Sequence, residues 1–163
     1  MASVGSPSRS LQIYSGHMLI DAENLAMECA MARKLQEDSS LLERAKEGLR
    51  RWEANKNPHS RRYREGWRHF LYERPLPDLI EYMTDLSDHG DARRQADPFS
   101  PSAFLSKSEL DHITERVKEL FAELLATPQP EECREFSSRY IYKDQLDAVR
   151  QRIKEEFLET VPV

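Results

Sequence analysis

Histidine, cysteine and the acidic side chains are the groups best able to hold a metal or move a proton, so their spacing is the first indication of chemistry. Metal sites gather such ligands as close pairs on a helix or loop, as in His-Glu-x-x-His or Cys-x-x-Cys. Here His17, His59, His69, His89 and His112 are scattered, and Cys29 and Cys133 stand far apart. The nearest cluster, Asp85, Asp88, His89 and Asp91, has the composition of a polar turn. No Gly-x-Ser-x-Gly elbow occurs, and Gly5, Gly16, Gly48, Gly66 and Gly90 never form a phosphate-cradling loop. Adjacent carboxylates such as Glu131-Glu132 and Glu155-Glu156 read as solvated helix faces. No catalytic residue, metal or cofactor is therefore expected, and the chain reads as a non-enzyme.

Charge is distributed more tellingly. The 163 residues carry 24 Lys and Arg against 29 Asp and Glu, a net charge of -5. Positions 44 to 74 hold ten basic and four acidic residues, so this stretch is +6 and the remainder -11. Arg44, Arg50, Arg51, Lys56, Arg61, Arg62, Arg64 and Arg68 are interleaved with Trp52, Tyr63 and Trp67. Arginine mixed with aromatic residues suits phosphate contact with base stacking, and it equally suits an acidic protein partner. A structural alternative has the aromatics filling the core while the arginines pair with Glu47, Glu53 and Glu65. The acidic remainder argues against a general nucleic-acid binder, because it repels a polyanion.

The elements that would position these residues are helical. Hydrophobic content is 39% and mean hydropathy -0.75, so each apolar residue must sit on an organised face. Residues 1–17 read as a disordered tail, with Met1 and Met18 both candidate starts, and residues 18–163 as one helical domain. Within it, 18–86 form N-terminal helices, 87–105 an irregular segment and 106–163 C-terminal helices. The first helix is expected to start at Asp21. Ser40 to Glu43 and Ser106 to Glu109 both have the capping-box pattern, and Pro77 fits the first turn of another helix. The sum is an all-α bundle of about six helices; alternation of the strand type is confined to Tyr140-Ile141-Tyr142. No run of apolar residues is long enough to span a membrane and the first 17 residues lack a secretory pattern, so a cytoplasmic protein is expected.

Three segments resemble a group of short bacterial all-helical proteins of poorly assigned function. They are Leu41 to Trp52, Trp67 with Pro75 to Ile80, and Arg93-Arg94-Gln95-Ala96-Asp97-Pro98-Phe99 ahead of Leu105 to Glu109. The last is similar to the group's Arg-Gln-x-x-Pro-Phe box, with Ala96-Asp97 where serines are usual. Such proteins are often encoded beside toxin or mobile-element genes, so the resemblance, covering about residues 41–110, implies an antitoxin-like or accessory role. The expected function is binding and neutralising a protein partner, possibly a toxin from the same operon; a nucleic-acid-binding regulator using positions 44–74 is the alternative. Expected contact residues are Arg61, Arg62, Arg64 and Arg68, with Arg93, Arg94, Gln95 and Phe99 as a second segment; Phe99 could instead belong to the core. The 106–126 helix carries seven large apolar residues, which suggests a homo-oligomer if one chain cannot cover them.

Overall fold

A computed structural model describes residues 10–54, 58–125 and 139–159, apart from the side chain of His59. Among the described residues the chain is all-α, with eight α-helices rather than about six, and one short two-stranded ribbon. The elements in order are β1 (Leu11–Ile13), α1 (Gly16–Glu37), α2 (Leu42–Ala54), α3 (Arg61–Tyr72), α4 (Leu76–Met83), α5 (Asp88–Arg94), α6 (Pro101–Phe104), α7 (Lys107–Leu125), β2 (Tyr140–Tyr142) and α8 (Lys143–Lys154). A π-helical turn, Glu155–Glu159, continues α8.

α1 is the centre of the molecule and packs against α4, α5, α6, α7, α8 and the π-helical turn. Its buried residues include Leu25, Ala26, Cys29, Met31, Ala32 and Leu35, which are spread over more than one face. A helix surrounded by others loses the single apolar stripe of a surface helix. The Cys29 thiol is buried there, and desolvation pushes it up to about 12. On α7, Ile113, Val117, Leu120, Phe121 and Leu125 are buried, and Leu110 and Leu124 are half-buried against the same core. Five of the seven large apolar residues of α7 are thus covered within one chain.

The disordered tail expected over residues 1–17 is overturned from Ser10 onward. Residues 1–9 lie outside the described residues, but Leu11–Ile13 pairs antiparallel with Tyr140–Tyr142 in the register Leu11↔Tyr142, Gln12↔Ile141, Ile13↔Tyr140. Bonds from Tyr14 N to Arg139 O and from Lys143 N to Ser10 O, both 2.8 Å, extend the pairing. Ile141 is buried on this ribbon, and Tyr140, Ile141 and Tyr142 are residue types that favour strands. α1 accordingly begins at Gly16 with Ser15 at its cap position, and the expected cap Asp21 lies inside it.

The two capping-box patterns behave differently. Ser106 and Glu109 form the reciprocal pair, with Ser106 N donating to Glu109 Oε1 at 2.9 Å and Glu109 N to Ser106 Oγ at 3.1 Å. Lys34 on α1 then reaches the same Glu109 oxygen at 2.7 Å, tying α7 to the centre. At the other pattern Ser40 is not the cap. Its N–H and hydroxyl both donate to Asp38 Oδ1, at 3.1 and 2.6 Å, in a 3₁₀ turn ahead of α2. Among the described residues no helix is long and apolar enough to cross a membrane.

Candidate functional site

α2 and α3 form an antiparallel hairpin whose inner side is apolar. Ala45, Leu49, Trp67 and Leu71 are buried, and Trp52, Tyr63 and Phe70 pack against that core. The indole N–H of Trp67 donates to Ala96 O at 3.0 Å, and its ring meets Tyr82 and Phe99 edge-on at 4.8 and 5.6 Å. α2 can approach the loop after α5 closely because of Gly48, where a β-carbon would collide with the Pro98 carbonyl oxygen. Side chains on the opposite surface of the hairpin are left to solvent, and these are the basic ones.

The 100° step of a helix divides the four arginines of α3. Arg61 and Arg68 point to the α2 side, where Arg68 makes a forked bond to Glu53 at 2.9 and 2.6 Å, which raises the guanidinium above its ordinary value. Arg61 pairs with Glu65 at 2.9 Å and remains highly exposed. Arg64 is half-buried, donating to Ser60 Oγ at 3.2 Å with its guanidinium 6.0 Å from the Trp52 ring. Arg62, about a quarter turn from Arg61, is exposed and makes no ion pair among the described residues.

At the end of α3 stands a residue that the sequence reading passed over. Tyr72, 42% exposed, has Lys46 Nζ 5.0 Å and the Arg68 guanidinium 5.3 Å from its ring centre, while Arg50 donates to its hydroxyl at 3.5 Å. The signal was present in the spacing: Lys46 and Arg50 are one turn apart on α2, and Arg68 and Tyr72 one turn apart on α3. It becomes visible only once the two helices are known to lie antiparallel.

The second expected contact segment is mostly interior, which corrects that expectation. Arg94 is 4% exposed. It donates to Asp91 Oδ1 at 2.6 Å, to Asp85 O at 2.6 Å and to Met83 O at 3.2 Å. The other oxygen of Asp91 accepts from Arg150 of α8 at 2.6 Å, so one buried carboxylate bridges two arginines. Desolvation lowers Arg94 despite Asp91; for Arg150 burial opposes the charge, but Asp91 and Asp88 outweigh it and raise the group. Phe99 is 5% exposed and sits between Trp67 and Phe104, so of its two expected places it takes the core. Arg93 holds its guanidinium 4.2 Å from the centre of the Tyr82 ring and pairs with Asp85. Gln95 alone of the four is exposed, and it donates to Asp21 at 3.0 Å.

These bonds also occupy the acidic turn. Asp85 is taken by Arg93, and Asp88 and Asp91 by Arg150; among the described residues no group of three or more His, Cys, Asp or Glu side chains is placed to hold a metal. Asp97, in the loop between α5 and α6, accepts from Phe99 N at 3.1 Å, and desolvation pushes its carboxyl up to about 8. No protein-family model, curated protein or solved structure matches the chain.

Proposed function

We propose that this protein is a non-catalytic binding protein that presents the outer face of α2 and α3 to an acidic protein partner. The contact set is Lys46, Arg50, Arg61, Arg62, Arg68 and Tyr72. The observation that carries this reading is the use made of the aromatic rings on that face. A nucleic-acid platform needs open ring faces for bases to stack on. Here cations approach the ring of Tyr72 on α2 and α3, Arg64 lies over Trp52, and Trp67 is buried. What remains on offer is a field of hydrogen-bond donors set on a rigid hairpin, which favours carboxylates and fixes their register. An antitoxin-like or accessory role, in which binding neutralises the partner, is the form of this function that the resemblance of residues 41–110 supports.

The test is affinity purification of the protein expressed with its neighbouring genes, analysed by mass spectrometry with and without nuclease. The expected result is one stoichiometric protein that survives nuclease and is lost when Arg61, Arg62 and Arg68 are changed together to Glu. Recovery of nucleic acid alone would reject the protein-binding reading and favour the regulator.

A further inference from the structure

We propose that Tyr72, Arg50 and Lys46 form an anchor for a single side-chain carboxylate of an acidic protein segment. This rests on the protein-binding reading for the kind of partner, whereas the anion site stands on its own geometry.

The argument follows the donors. Arg50 Nη1 donates to the Tyr72 hydroxyl oxygen at 3.5 Å, which leaves the phenolic proton without an acceptor among the described residues. The three cations around the ring are not equally neutralised. Arg68 is held by both oxygens of Glu53, and Lys46 has Glu43 at 3.5 Å. Arg50 has no carboxylate within ion-pair distance among the described residues, and it is the cation at the hydroxyl. The phenolic O–H and the unneutralised Arg50 guanidinium therefore offer donors side by side, with the Lys46 ammonium against the same ring; the two cations cannot accept a hydrogen bond, and the hydroxyl oxygen already accepts from Arg50. The buried packing of Leu49, Trp67 and Leu71 holds α3 on α2, with the Arg68–Glu53 fork beside it, so the donors are positioned before anything binds. A carboxylate is the matching group, since its two oxygens can accept from the hydroxyl and the guanidinium together.

The test titrates a short polyglutamate peptide into the full chain at low salt, following the Arg50 Nε–H and Tyr72 ring resonances by NMR. Tyr72→Phe, which keeps the ring and removes the proton, and Arg50→Gln should each weaken the apparent affinity about tenfold, the scale of one charge-assisted hydrogen bond. Lys118→Gln, an exposed cation on α7 outside the contact set, should change it by less than about twofold. Thermal melts show that each variant is folded; should Arg50→Gln unfold, Tyr72→Phe alone decides. The anchor is overturned if polyglutamate does not bind, if Tyr72→Phe binds as tightly as the parent, or if Lys118→Gln weakens binding equally. The choice of a carboxylate is overturned if a charge-matched oligothymidylate binds more tightly and is lost in the same variants. Failure to recover a partner in the purification would reject the protein-binding reading while leaving this titration to stand or fall alone.

Discussion

The hairpin α2–α3 and the segment from Asp91 to Phe99 are both arginine-bearing and both carry aromatic residues, yet one faces water and the other holds the interior together. On α3, Arg61 and Arg68 meet glutamates one at a time at the surface, where a pair contributes little to stability. In α5, Arg94 is surrounded: a carboxylate and two backbone carbonyls accept from it, and the same carboxylate serves Arg150. The lesson is that an arginine's role follows from the number of acceptors converging on it, which local sequence does not reveal.

The sharpest way to break this contrast is to remove the shared acceptor. Asp91→Ala leaves two buried guanidinium groups without their common partner and should cost about 3–5 kcal/mol, read from urea denaturation at neutral pH. A loss below about 1 kcal/mol would show that the two regions differ less than their burial suggests. Next in size, Phe99→Ala should lose about 3 kcal/mol by opening a cavity between Trp67 and Phe104, with the same measurement deciding whether that ring is core.

Asp97 provides a third test, in pH. Its folded-state carboxyl is raised to about 8 by desolvation, so the fold favours the neutral form. The resulting stability is fully present below the unfolded value near pH ~4 and is lost as pH rises through about 8. Asp97→Asn should flatten that slope and gain on the order of 2 kcal/mol at about pH 8, the shift being discounted for the carboxyl's partial contact with water. A parallel pair of stability curves for parent and variant would overturn the assignment. Smallest is the surface pair: Arg68→Gln should change stability by less than about 1 kcal/mol, while the charge reversal of the face abolishes partner recovery.

The helical class was legible because α2, α3 and α7 have clean periodicity and because the Ser106–Glu109 box has its full chemistry within four residues. Pro77 was equally readable, since its fixed geometry suits a first turn wherever the chain goes next. What could not be read depends on distant partners. Leu11–Ile13 is a strand because of Tyr140–Tyr142, and Ser40 does not cap because Asp38 takes the cap position of the 3₁₀ turn and accepts from Ser40 N. The first arginine cluster was recognised as a group but not sorted by face, and Tyr72 was missed because two of the cations around it belong to another helix. Arg94 was misplaced for the same reason: half of its network, Arg150, belongs to α8.

The ribbon joining β1 to β2 also sets a timetable. β1 and α1 leave the ribosome before any other described element, but the strand that pairs with one and the helix that packs on the other are synthesised last among the described elements. Throughout translation α1 carries a bare apolar side and β1 an unpaired backbone, the two features that most invite misassociation in a nascent chain. Native closure must await α8, so folding includes contacts of long sequence separation despite the helical architecture and should be slower than helix content alone implies.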